Sequence, residues 1–279
     1  MRKAAKQINY EKILIYIALS IGSIIMIAPF VWMLLTSFKS LPESMSIPPT
    51  FIPESFSNTA AYTQVVKILD FGRLYLNTGL MILFRILCAT IFCSMSGYAF
   101  AKLEIPFKKF FFTIVLVQMM LPGQIFLIPQ YQMVVKLGLT DSIFGLVFPG
   151  IVSAFGTFFL RQFYMGLPEE MFEAASLDGC SQFQTFYKIA MPTTKSAIAA
   201  LSIFTAVIAY GELMWPLIVN TDKNMLTLSS GLSLLKGHYV TNYPVLMAGA
   251  VLAMIPMMII YIFCQKHFIE GIALTGIKA

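Results

Sequence analysis

Residues Pro168–Pro192, PEEMFEAASLDGCSQFQTFYKIAMP, form a polar island between long apolar runs. Pro168 can open a helix in its first turn, where a missing N–H costs nothing. Glu169 and Glu170 follow at the end of the helix dipole that favours carboxylates. Met171 to Asp178 holds no breaker, and Gly179 is suited to stop the helix in the left-handed conformation. This predicts a short helix of roughly 16 Å, at about 1.5 Å per residue. Glu173, Ala174 and Ala175 lie at its middle, where the two small side chains let another surface approach closely. A second amphipathic turn is expected from Phe183, Phe186, Tyr187 and Ala190, ending at Pro192. Two readings stand for the stretch: a loop helix packed on its own protein, or a docking element for a partner.

The rest of the chain sets the context. It is 58% hydrophobic and 11% charged, with a mean hydropathy of +0.80. Soluble domains carry about 25% charged residues, so this composition places the chain in a lipid bilayer as one bundle of spans. The net charge of +6 is scattered around apolar runs, which excludes a nucleic-acid surface and informs topology instead. The cysteines Cys88, Cys93, Cys180 and Cys264 form no CxxC pair and no metal-ligand cluster. Cys88 and Cys93 share one apolar run and are expected to be buried free thiols. The N-terminal MRKAAKQINYEK is basic, but the apolar run after it is too long for a signal peptide and no small-residue cleavage site follows. It is expected to be a retained first span.

About 20 apolar residues cross a bilayer core, and six such runs give an all-α, polytopic membrane protein with transmembrane helices at 13–38, 74–101, 110–135, 142–160, 196–218 and 239–265. A kink is expected at Pro29. The loops are 39–73, with a short surface helix near Asn58 to Leu69, and 219–238 on one side. On the other side are the tail 1–12, the basic turn after the second span, the stretch 161–195 and the tail 266–279. The second span carries Arg85 near its middle, at a cost of roughly 2.5–3.5 kcal/mol on the insertion scale. Eight apolar neighbours between Leu80 and Phe92 return about 2.4–4.8 kcal/mol together on that scale, so the segment can insert, but Arg85 needs a partner or a wet cavity. Pro122, Pro129, Gln118 and Gln124 make the third span an irregular helix, tolerable only where protein or water satisfies the freed carbonyls. Gly145, Gly150 and Gly156 allow close packing of the fourth.

Six spans put both termini on one side. That side holds Arg2, Lys3, Lys6, Lys12, Lys102, Lys108, Lys109, Arg161, Lys188, Lys195, Lys266 and Lys278, which is 12 of the 19 basic residues. The other holds Lys39, Lys67, Arg73, Lys136, Lys223 and Lys236, which is 6, with Arg85 inside a span. The positive-inside rule therefore makes both termini, and the opening stretch, cytoplasmic.

Glu173-Ala174-Ala175, Gly179, Ile189 and Met191-Pro192 then resemble the EAA motif of ABC importer permeases, E-A-A-x3-G-x9-I-x-L-P, with Met191 where Leu is usual. The resemblance covers most of the chain and is to the smaller, six-span permease of the carbohydrate-uptake (maltose-type) family. It extends to Ser96-Gly97-Tyr98-Ala99, Leu121-Pro122-Gly123, Ile128-Pro129-Gln130-Tyr131, Leu137-Gly138-Leu139, Trp215-Pro216-Leu217 and the ending Phe268-Ile269-Glu270-Gly271 through Gly276-Ile277-Lys278. Tyr210-Gly211-Glu212 departs from it, since relatives often have Trp-Asn-Glu or Trp-Asn-Asp there.

The resemblance implies the type I ABC importer permease fold in a bacterial or archaeal cell (inner) membrane. It implies a coupling helix built on Glu173, Ala174, Ala175, Asp178, Gly179, Ile189 and Pro192 and docked on an ABC ATPase dimer. It also implies a second permease subunit, an extracytoplasmic solute-binding protein and a carbohydrate substrate. No G-x-x-x-x-G-K-[ST] loop occurs in the chain, so no cofactor is expected on it, and ATP and Mg belong to the partner.

Intramembrane ionisable groups are functional candidates by default, which singles out Arg85 and Glu212. They either line a wet path for cargo or make structural contacts, to each other, to a second permease or to an amide such as Gln118. Asn77, Gln118, Gln124 and Tyr210 are further candidates for the translocation path, against the alternative of bonds to neighbouring helices. His238 and His267 have no catalytic partner nearby. A permease for a non-sugar solute is the alternative within the family. A stand-alone secondary transporter would show internal repeats, and a membrane enzyme would need a motif such as H-E-x-x-H; the chain has neither.

Overall fold

The computed structural model describes residues 10–237 and 241–276. The basic residues at 1–9, His238 and Ile277-Lys278 lie outside them, as do the side chains of Cys264, His267 and Phe268 to Gly276. The described residues contain helices and no strand. The chain divides into two compact units, residues 1–69 with 234–256 and residues 70–233 with 257–279.

The first unit begins with α1 (Tyr10–Thr36), which runs through Pro29 as one helix and exposes apolar side chains nearly all round. A helix apolar on every side is suited to lipid rather than water. The chain then folds back: Ser40 and Glu43 form a capping box around the turn Leu41–Ser44, and the Ser37 hydroxyl meets that of Tyr62 at 2.7 Å. Lys39 is only 3% exposed; its ammonium donates to the Thr50 carbonyl and lies 4.7 Å from the centre of the Trp32 ring. The surface helix of the loop is α2 (Ala60–Ile68). The C-terminal helix (Tyr243–Gly276) starts in this unit.

The second unit is organised on α3 (Phe71–Lys102), a helix long and apolar enough to cross a membrane. Asp70 caps it by accepting from the Arg73 N–H at 3.2 Å, so it begins three residues before the span read from hydropathy. Residues Ala89–Cys93 form a π-helical turn within it. After α3 come α4 (Lys108–Met120), α5 (Gly123–Lys136), α6 (Ile143–Gly150), α7 (Ala154–Met165), α8 (Glu170–Leu177), α9 (Gln182–Thr193), α10 (Lys195–Gly211), α11 (Met214–Val219) and α12 (Leu228–Ser233).

The third span, expected to be irregular, is broken outright, and the fourth and fifth are not single helices either, which corrects their expected continuity. Between α4 and α5 the chain turns by 105°, and between α6 and α7 by 50°. Helix α4 has 13 residues, about 20 Å at the helical rise, against a hydrocarbon core of about 30 Å. The 105° turn follows from Pro122, which forces Leu121 into an extended conformation (φ −86°, ψ 138°). The fifth span stops at Gly211 and resumes at Met214, with Glu212 extended at ψ 123°. Helix α9, expected outside the membrane, meets α10 at 76°.

Glycines and small residues let these pieces pack on α3. A Cβ at Gly97 would lie 3.0 Å from the Arg161 nitrogen, and one at Gly156 would lie 2.9 Å from Cys93 Sγ. The core there joins Cys93, Tyr98, Leu160, Tyr164, Phe186, Ala190 and Leu201. A second core joins Met81, Val134, Leu146, Ala209, Trp215 and Val219. Cys88 and Cys93 are free thiols; Cys93 is buried and Cys88 half-buried.

Candidate functional site

The helix breaks leave backbone groups without helical partners, and in a bilayer each must be satisfied by protein or water. Side chains do this here. Pro149 has no N–H to give the Gly145 carbonyl, which instead accepts from the Trp215 indole at 3.0 Å. The neighbouring Leu146 carbonyl accepts from Arg85 Nη2 at 2.5 Å. Pro216 likewise frees the Glu212 carbonyl, which the Ser229 hydroxyl bonds. At the second break, Ser153 gives its N–H to Cys93 Sγ at 3.4 Å, and the thiol lies 3.6 Å from the Ser153 carbonyl.

The same breaks open a cavity of about 670 Å³ in the second unit, within the range typical of ligand sites. Arg85 and Glu212 meet on its wall as an ion pair, with side chains 6% and 26% exposed. The two are therefore paired with each other and both face the cavity. Gln118 and Gln124 line the same cavity, as does Gln130, which was not singled out as a site in the sequence. Gln130 sits six residues beyond Gln124 across a 3-10 turn, and no fixed helical spacing links the two in sequence.

Asn77 and Tyr210 do not line the cavity. The Asn77 amide donates to the carbonyls of Asn224 and Leu226 at 2.8 and 2.9 Å. Next to it, the Thr78 hydroxyl accepts the Leu228 N–H at 2.9 Å. Together they fasten the 223–228 loop to α3, a structural job of the kind weighed for lone polar residues in spans.

The stretch 168–192 forms a second, separate feature. Helix α8 ends at Gly179, which takes φ +77°. Gly179 N–H reaches the Ser176 carbonyl at 3.1 Å and Cys180 N–H reaches that of Ala175 at 2.9 Å, the paired bonds of a Schellman motif. Ser181 and Gln184 then form a capping box that starts α9; its S-x-x-Q pattern is visible in the sequence and was missed there. Helix α9 relaxes into a π turn at Phe186–Ala190 and passes Pro192 by one residue. Phe186 and Ala190 are buried, whereas Phe183 and Tyr187 are 66% and 64% exposed, and Leu177 is 89% exposed.

This segment is fixed to the end of α3. Lys102 Nζ pairs with Glu169 at 2.5 Å, donates to the Leu167 carbonyl at 2.9 Å and lies 4.5 Å from the centre of the Phe172 ring. Tyr98 packs against Tyr164, Phe172 and Phe186 at ring separations of 5.8, 6.2 and 5.3 Å. Ala175 is buried, while Glu173 and Ala174 are exposed. No group of three or more potential metal ligands occurs among the described residues.

Within the second unit, broken spans surround a polar cavity, and a helix–turn–helix is fixed to the end of α3, an arrangement suited to a transport protein. Residues 92–273 match the family described as the binding-protein-dependent transport system inner membrane component, and the chain belongs to that family. It is 32% identical to the arabinooligosaccharides transport system permease protein AraQ of Halalkalibacterium halodurans over 269 residues, 95% of this chain and 96% of that one. It is 32% identical to AraQ of Bacillus subtilis over the whole of both chains. The sn-glycerol-3-phosphate transport system permease protein UgpE of Pectobacterium atrosepticum is 31% identical over 72% of this chain and 73% of its own. The fold matches a chain of a bacterial ABC transporter involved in import of the acidic polysaccharide alginate, with a TM-score of 0.77 at 22% identity over 96% of this chain and 100% of that one. The protein is thus a membrane permease subunit with an ABC importer permease fold, and family membership sets aside the stand-alone secondary transporter.

Proposed function

We propose that this chain is the permease subunit through which a binding-protein-dependent ABC importer passes a sugar or oligosaccharide. The carrying observation is the pairing, in one unit, of a cavity lined by three glutamines with an exposed helix–turn–helix joined to α3 through Lys102 and Tyr98. The AraQ relatives, similar over the full length, support an oligosaccharide cargo. The UgpE relatives carry the alternative of a phosphorylated polyol.

In this reading both termini and the 168–192 segment are cytoplasmic, in agreement with the charge distribution. Glu173, Ala174, Ala175, Asp178 and Gly179, with Ile189 and Pro192 behind them, form the docking element for a separate ATPase dimer that binds ATP and Mg. Exposed Leu177, Phe183 and Tyr187 give that element an apolar face. A second permease closes the cavity, and a solute-binding protein delivers the cargo. ATPase closure would rock the two permeases between inward- and outward-facing states. The mechanical link within this chain runs from α8 through Phe172 and Tyr98 to α3, which carries Arg85 to the cavity wall.

The test is purification of the tagged chain from its own membranes. An ATPase subunit is expected to co-purify, with hydrolysis stimulated by the cognate binding protein and inhibited by vanadate. Purification without any ATPase would overturn the reading.

A further inference from the structure

We infer that the cavity of the second unit selects an uncharged, hydroxyl-rich cargo over an anionic one, with Gln118, Gln124 and Gln130 as its polar contacts. The inference rests on the importer reading and names the substrate class of the same site. Among the lining residues, formal charge is carried by Arg85 and Glu212 alone, and these two neutralise each other. Arg85 further commits Nη2 to the Leu146 carbonyl. An anion entering the cavity would find the one cation already paired and a carboxylate beside it. It would have to displace Glu212, leaving that carboxylate without its partner, or sit close to a like charge.

The three amides suit a neutral cargo better. Each offers two donors and one acceptor carbonyl, so each can give to and take from a sugar hydroxyl. None of the three side-chain amides is hydrogen-bonded to another described residue, so their capacity is open. Arg85 Nε is buried against Gly150, so the guanidinium has no open donor to spare for an anion. Met119, Phe126 and Phe155 lie on the same lining and provide apolar surface for the C–H faces of sugar rings.

The chain has two tryptophans, and Trp215 lies on the cavity. In a Trp32→Phe background Trp215 becomes the only indole of this chain, and its fluorescence, taken as the difference from a Trp32→Phe/Trp215→Phe importer, reports binding to the assembled complex in lipid nanodiscs. Arabinotriose and maltotriose are expected to change it saturably, at concentrations at least tenfold lower than trigalacturonate or glycerol 3-phosphate require. Gln124→Leu, at an exposed position, should raise the half-saturating concentration of the neutral sugars at least fivefold. Glu212→Gln, which frees the Arg85 charge, should narrow or reverse the tenfold preference. Equal or tighter binding of the anionic probes, or no saturable response to either neutral sugar, overturns the inference. The two failures are separable: an ATPase that co-purifies and imports an anionic cargo removes the inference alone, whereas absence of any ATPase removes the importer reading.

Discussion

The Arg85 guanidinium pairs with the carboxylate of Glu212, joining the middle of α3 to the point where α10 stops. Removing one partner of a buried pair leaves the other uncompensated, at a cost of about 3–5 kcal/mol. Glu212 retains some exposure, which places the expected loss at the lower end. Arg85→Met and Glu212→Gln should each lower the thermal unfolding temperature of the purified chain. The double variant should be more stable than the sum of the two losses predicts, by roughly 1 kcal/mol or more. Strict additivity across the cycle would remove the pair as an energetic unit.

Trp215 serves the fourth span from the fifth. Its indole replaces the N–H that Pro149 lacks, and the Gly145 carbonyl it bonds is buried. Trp215→Phe keeps an aromatic ring but strands that carbonyl, a penalty of about 1–3 kcal/mol. Thermal unfolding should fall accordingly, while Trp32→Phe serves as the comparison for loss of a tryptophan in the other unit. An unchanged melting temperature in Trp215→Phe would mean that water satisfies the carbonyl equally well.

These two relationships show where sequence reading reaches and where it stops. The end of α8 was legible because it is local: Gly179 follows a breaker-free run, and a left-handed glycine closes such a helix without help from elsewhere. Arg85 could be flagged as needing a partner because insertion cost is a property of one segment. Its partner could not be chosen, since Glu212 lies 127 positions away and Gln118 was equally reachable on paper. The broken spans were half legible. Proline and glutamine marked the third as irregular, yet Pro149 passed unremarked, because hydropathy averages over a residue whose effect is to free one carbonyl. Asn77 was placed on the path by polarity alone, whereas its partners, Asn224 and Leu226, are loop carbonyls brought near only by the fold.

Close packing at the start of α6 gives a steric prediction. A Cβ at Gly145 would overlap the Leu139 carbonyl oxygen, a backbone atom that no rotamer change can move aside. Gly79, within α3, has nothing within 4 Å of the corresponding position. Gly145→Ala should lose at least about 2 kcal/mol, in the range of overpacking, and yield should fall with it. Gly79→Ala should be neutral or gain up to about 1 kcal/mol from helix propensity. Equal behaviour of the two variants would contradict the packing described.

The left-handed turn at Gly179 predicts a graded series. A β-branched residue at φ +77° is strained, asparagine much less so, and proline cannot reach that φ at all. Membrane insertion should be normal in every variant, because the turn lies outside the apolar runs. Binding-protein-stimulated ATPase activity of the assembled importer should fall in the order Gly, Asn, Val, Pro at this position, with Gly179→Pro uncoupled. Full activity in Gly179→Pro would show that the angle between α8 and α9 is not used.

Asp141 gives a pH dependence. It sits in the loop between α5 and α6 at φ 50°, and its carboxylate accepts the N–H groups of Asp222 at 2.8 Å and Thr221 at 2.6 Å. The Asp222 N–H is the largest influence and holds its pKa below the usual aspartate value of 3.8; burial opposes it, and the N–H and hydroxyl of Thr221 add to the lowering. A carboxyl depressed in the folded state favours folding at every pH above its ordinary pKa, and that contribution disappears as pH falls through the lower, folded value. Asp141→Asn tests this cleanly, because asparagine also tolerates a positive φ and keeps one acceptor oxygen while losing the charge. Thermal unfolding of the variant should lie below that of the parent from pH 5 to 8, by an amount that does not vary across that range. The gap should close as pH drops below about 4. A gap that persists unchanged at pH 3 would mean that the clasp to Thr221 and Asp222 works through shape alone and owes nothing to ionisation.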